Sequence, residues 1–216
     1  MKQRQNFLST YLLASATLLG GASAAFAAAP PLGTAAGFSV LGGSAVTCTA
    51  GVVAGDAGVS PGSAFTNTGC TYAGNTPPAT TPFAAQARAD FLTAYADLQS
   101  QAVSCTYMLG TTLADENLAP GVYCLDAVAK TGTLTLTGPA DGVWVFLVDG
   151  AFTATNFSVA MAGGGLPCNV FWAPSAAATL TTSALKGNIP AGNTTVGSIT
   201  LTGGTMAGRA LAGVAV

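Results

Sequence analysis

Gly132-Thr133-Leu134-Thr135-Leu136-Thr137 alternates without a break, and so does Ser198-Ile199-Thr200-Leu201-Thr202. Phe152-Thr153-Ala154-Thr155 and Ala178-Thr179-Leu180-Thr181 repeat the pattern. Successive side chains of a strand point to opposite faces. Leu134, Leu136, Leu180, Ile199 and Leu201 are therefore expected to face a core. Thr133, Thr135, Thr153, Thr155, Thr179, Thr181, Thr200 and Thr202 are expected to face out. The rows start at steps of roughly 20 to 27 residues, the spacing of coils in a solenoid. A β-sandwich built from similar short strands is the structural rival.

The composition supports a thin, repetitive core. The 216 residues include 28 Gly, and only 6% are charged, against about 25% in an average globular chain. There is no histidine. Met1 to about Ala27 reads as a secretory signal: Lys2 and Arg4 precede an apolar run from Phe7 to Leu19, and Ala25-Phe26-Ala27 fits the cleavage pattern. The run is shorter than the roughly 20 residues a membrane span needs. Without Lys2 and Arg4 the acidic excess grows, and no basic cluster is present, which argues against nucleic acid as a partner. The expected mature chain is extracellular, monomeric and free of the membrane.

Residues 28–36 read as a flexible mature N-terminus and 37–216 as one domain. Phe38-Ser39-Val40-Leu41, Ala45-Val46-Thr47 and Val52-Val53 read as short strands. A loop over 76–81 precedes a helix over about 82–102, with Thr81 as cap and Pro82 in the first turn. Ala84, Ala87, Phe91, Tyr95, Leu98 and Ala102 form its apolar stripe, and Arg88, Asp90 and Asp97 lie off it. Secretion permits disulfides among the five cysteines. Sequence leaves the pairing open. Local closure favours Cys105 with Cys124 and Cys48 with Cys70, which leaves Cys168 as a buried thiol.

Catalytic chemistry finds no support. Gly58-Val59-Ser60-Pro61-Gly62 matches the nucleophile-elbow spacing. That elbow needs a histidine base, and its oxyanion hole needs an N–H from the residue after the serine, which Pro61 lacks. The motif reads as a tight turn. The carboxylates are scattered, so a two-carboxylate glycosidase is excluded. No Cys/His spacing suits a metal, and no cofactor is expected. Gly163-Gly164-Gly165 is read as a turn rather than a phosphate loop.

Several segments resemble the DUF3494 ice-binding protein family. They are Phe38-Ser39-Val40-Leu41-Gly42-Gly43-Ser44, Gly55-Asp56-Ala57-Gly58-Val59-Ser60-Pro61-Gly62, Ala84-Ala85-Gln86-Ala87-Arg88-Ala89-Asp90, Leu118-Ala119-Pro120-Gly121-Val122-Tyr123-Cys124, Cys168-Asn169-Val170-Phe171-Trp172, Lys186-Gly187-Asn188-Ile189 and Gly208-Arg209-Ala210-Leu211-Ala212. The resemblance implies a mainly β fold: a discontinuous, right-handed, triangular β-solenoid with one long helix alongside. It also implies an ice surface as the partner. Ice-active members often carry T-A/G-x-T/N on one flat face. Thr153-Ala154-Thr155-Asn156 and Thr202-Gly203-Gly204-Thr205 fit that pattern, whereas Thr181-Thr182-Ser183-Ala184 does not. Asn156 and Thr205 thereby join the candidate ice-binding residues. Family members usually continue with a further strand after the region matching Gly208 to Ala212, so either a fragment or an open coil edge is expected. The rival reading is a secreted adhesion or matrix solenoid without ice affinity.

Overall fold

The computed structural model describes residues 26–76, 82–127 and 129–216. Most of the leader sequence and the helix cap at Thr81 lie outside the described residues. The strand pairs are all parallel. They stack into a β-solenoid with one helix, Pro82–Ser100, beside it.

One long face is built from Thr106–Tyr107, Gly121–Asp126, Trp144–Asp149 and Val170–Pro174. It continues through the bridge Phe171 to Asn188 into Ile189–Ala191, Ala210–Ala212, Phe38–Gly42 and Asp56–Val59. Its central strands, Trp144–Asp149, Val170–Pro174, Ile189–Ala191 and Ala210–Ala212, are almost unbroken buried runs, because one side meets the interior and the other meets the helix. Val145 and Leu147 point to the helix and pack with Leu98, Phe171 and Ala173. Trp144, Phe146 and Val148 point inward. Tyr123, Phe146 and Trp172 share one register position and stack ring on ring, with centroids 5.4 and 4.0 Å apart.

The stacking order is not the chain order. Val40 pairs with Ala210 and Leu41 with Leu211, so the N-terminal coils sit on the coil made by the C-terminal residues. The helix returns the chain to the opposite end. Its 19 residues span about 28 Å at 1.5 Å per residue, close to six strand spacings.

The helix buries Ala84, Ala87, Phe91, Ala94 and Leu98. Ala102 falls instead in the following 3-10 turn and is exposed. Arg88, placed off the stripe by periodicity, is 9% exposed. Its guanidinium lies beside the tight turn at Gly43, where a Cβ would come within 2.4 Å of Nη1. Burial pushes this guanidinium below its usual range. The apolar stripe is wide enough to include the Arg88 stem, which is why a charged residue sits inside it.

The segment expected to be a flexible lead-in is held at several points. Gln101 brackets the Ala28 backbone with two hydrogen bonds, Ala35 is buried, and Thr34 N–H donates to Asp90 Oδ2 at 2.6 Å. The Thr34 N–H, helped by Gln86, holds the Asp90 carboxyl below the usual carboxylate range. A depressed native value stabilises above the ordinary carboxylate range and is lost as pH falls through the native value. Acidification below about pH 4 should therefore speed amide exchange over residues 33–37, and Asp90→Asn should abolish that pH dependence.

Cys48–Cys70 and Cys105–Cys124 are bonded, with Cα atoms 6.0 and 5.6 Å apart. Cys168 is free but exposed, not buried. It lies in the one-turn 3-10 helix Pro167–Asn169, outside the interior cluster that Val170 enters. Thiol titration without reductant should count one thiol, and the count should be the same with and without denaturant.

Candidate ice-binding face

A second sheet, opposite in character, stacks Asn117–Leu118, Lys130–Thr137, Phe152–Ala162, Ala178–Lys186 and Ile199–Ala207. Thr153, Thr179 and Thr200 occupy one register position, and Thr155, Thr181 and Thr202 the position two residues on. The residues between them, Ala154 and Leu180, are buried. Among the described residues no helix covers this side, so alternation survives where the helix-covered face shows none. Neighbouring strands are about 4.7–4.9 Å apart and alternate residues about 6.6 Å. The six threonines thus form a regular two-row grid without a charge.

Each row ends at a bend. Asn156, Thr182 and Gly203 follow Thr155, Thr181 and Thr202, and all three have positive φ, at 50°, 48° and 66°. Left-handed backbone is costly for a β-branched residue. Here Thr182 Oγ1 donates to Asn156 Oδ1 at 2.6 Å, which ties adjacent bends together. Past the bend the chain presents a different strip, where Thr133 pairs with Ser158, Ser158 with Ala184, and Ala184 with Thr205. Thr135 pairs with Ala160 on one side and with Asn117 on the other. Lys186 stands on that strip beside Ala207.

The ten expected site residues therefore divide. Thr153, Thr155, Thr179, Thr181, Thr200 and Thr202 share one strip, Asn156 marks its edge, and Thr133, Thr135 and Thr205 lie beyond it. The two T-A/G-x-T/N matches are also out of step. Thr153 aligns with Thr200, not with Thr202, so Thr202-Gly203-Gly204-Thr205 turns the bend while Thr153-Ala154-Thr155-Asn156 ends on it.

Two further features were missed or misplaced by pattern reading. Leu201 is 41% exposed. On that edge, Ile199 N–H donates to Ala215 O, and past Ile199 no described residue pairs with the strand. Lys130 is wholly buried at the root of the Thr133 strand. Its Nζ donates to Thr111 O at 2.6 Å and to Asp126 Oδ1 at 3.2 Å. The Asp126 carboxylate also accepts from Gly110 N–H. Nothing in the alternating pattern marks a buried ammonium, because the signal is its partner on another strand. Asp126→Ala should leave this ammonium without its counter-charge and cost about 3 kcal/mol, read as a lower urea midpoint. Lys130→Met, which keeps the stem volume and removes the charge, should cost less.

Comparison with known proteins follows the same geometry. The sequence profile described as ice-binding-like matches residues 40–216. An ice-binding protein of Nostoc sp. (strain HG1) is 39% identical over 166 residues, which are 74% of this chain and 61% of the relative. The chain thus spans less than two thirds of that relative's length. Ice-binding protein K3-B1 of Typhula ishikariensis is 27% identical, with 82% of each chain covered. Among solved structures, an ice-binding protein from an Antarctic biological consortium superposes with a TM-score of 0.79 at 30% identity, covering 88% of this chain and 87% of that one. One from the ascomycete Antarctomyces psychrotrophicus gives 0.73 at 33% identity, covering 88% and 94%. The solenoid, its helix and the extent of the match show that this chain belongs to the ice-binding-like family.

Proposed function

We propose that the protein is a secreted, non-enzymatic ice-binding protein that adsorbs to ice through the two-row threonine strip, slowing ice growth and recrystallisation. The observation that carries this reading is the register: three strands place six outward threonines in two straight rows on a side the helix leaves bare. Ice offers no charge to pair with. A surface that binds it must be flat, rigid and mildly apolar, with spaced groups that anchor ordered water. Threonine supplies a methyl and a hydroxyl on a side chain with few rotamers, so little entropy is lost on docking. An ordinary solubilising face would carry Lys and Glu, and residues 152–156, 178–182 and 199–203 carry neither. The two disulfides suit an oxidising compartment, and we read the active form as a monomer because one chain carries the whole strip.

Ice-affinity partitioning of the full protein tests the reading, and the protein should be enriched in the ice fraction. Thr155→Tyr or Thr202→Tyr should abolish most thermal hysteresis by raising a bump on the strip. Stability should shift by no more than about 0.5 kcal/mol, as for other exposed substitutions. Arg88 is unsuitable as the neutral control because it is buried. Asp97, exposed on the helix, serves instead, and Asp97→Tyr should keep full activity.

A further inference from the structure

The N-terminal coils repeat the geometry of the strip. Ala45–Thr49 pairs with Ala64–Thr68 in parallel, which sets Thr47 beside Thr66 and Thr49 beside Thr68. All four threonines are exposed, and neither strand carries a charge. Val46, just before the first row, is buried, and Cys48, between the two rows, is half-buried.

The register of these strands on the rest of the sheet can be followed through the last residues. Ile199 N–H donates to Ala215 O. Val216 N–H donates to Ala45 O, and Thr47 N–H donates to Val216 O. In a parallel ladder that pattern places Val216 level with Ile199 on one side and with Val46 on the other. Ile199 and Val46 are buried, and Val216 packs against the interior cluster, so all three point inward. Thr47 therefore stands in the row of Thr200, two strand positions away, and Thr49 stands in the row of Thr202.

A second observation gives the same alignment without using those hydrogen bonds. Each outer-row threonine is followed by a left-handed residue. Asn156, Thr182 and Gly203 follow Thr155, Thr181 and Thr202. Ala50 follows Thr49 with φ 53°, and Gly69 follows Thr68 with φ 81°. A positive φ at alanine is uncommon outside such a position. The bend that borders the strip thus runs on into the N-terminal coils. There the interior is thin, and the Cys48–Cys70 bond joins the end of this ladder, with Gly51 N–H against Cys70 Sγ.

We infer that Thr47, Thr49, Thr66 and Thr68 are ice-contacting residues, extending the same two rows across the junction between the C-terminal and N-terminal coils. The inference rests on the ice-binding reading of the strip. It lengthens the rows from three threonines to five. A longer rigid array binds more tightly because each added contact is made without further loss of translational freedom.

The test compares Thr66→Tyr and Thr47→Lys in the full protein with Thr155→Tyr and with Val52→Tyr. Val52 is exposed in the same coils but lies past the Ala50 bend. Thiol counting checks that Cys48–Cys70 stays closed in each variant. Thr66→Tyr and Thr47→Lys should each lose thermal hysteresis to a degree comparable with Thr155→Tyr, while Val52→Tyr keeps it. Full hysteresis in both N-terminal variants, with the disulfide intact and Thr155→Tyr inactive, would overturn the inference and leave the strip reading standing. If one variant opens the disulfide, the other decides. An unmodified protein that fails to partition into ice would sink the parent reading itself.

Discussion

Parallel pairing in register sets each side chain about 4.8 Å from its equivalent on the next coil, so one choice of residue is repeated as a column. Inside, the column is Tyr123, Phe146 and Trp172, stacked face to face. Outside, it is threonine on threonine. At the border it is a run of left-handed residues. If the register slipped by one residue, every threonine would turn inward and every leucine outward. The interior aromatics and the outer grid are therefore two sides of one constraint. The aromatic stack fixes the register, and the register makes the threonine rows straight.

Much of this was legible in the sequence, for a physical reason. A strand with one solvated side alternates, and Thr153 to Thr155 or Thr179 to Thr181 show it. A strand covered on both sides runs apolar without a break, as Trp144 to Val148 does. Contrast between the two patterns tells which side the helix takes. The helix itself announced its start and its stripe, although the stripe proved wide enough to take in Arg88. Cys168 and Leu201 were misjudged because burial depends on what lies across from a residue. Local sequence carries no record of that.

The division of the candidate site was hidden for a different reason. Thr133 and Thr135 alternate as cleanly as Thr200 and Thr202, but they lie on the far side of a bend that strands do not advertise. The signal was present in weaker form: Gly132 and Gly204, each just before the far-side threonine, stand at equivalent places. Thr-Cys-Thr-Ala at 47–50 and Thr-Asn-Thr-Gly at 66–69 carry the same signature as Thr-Ala-Thr-Asn at 153–156. They are easy to pass over, because the residue between the threonines is not a large aliphatic one and the interior there is small.

The out-of-order stacking has a consequence for how the molecule is made. Val40 finds its partner 170 residues later in the chain, at Ala210. During synthesis the N-terminal strands emerge first, yet the surface they stack on comes last. Such long-range closure is slow to form, and until then Phe38 and Leu41 lack the Leu211 contact that completes their cluster. The Cys48–Cys70 and Cys105–Cys124 loops can close locally in the meantime. A chain wound this way cannot finish its fold until its far end is available, however early its first strands emerge.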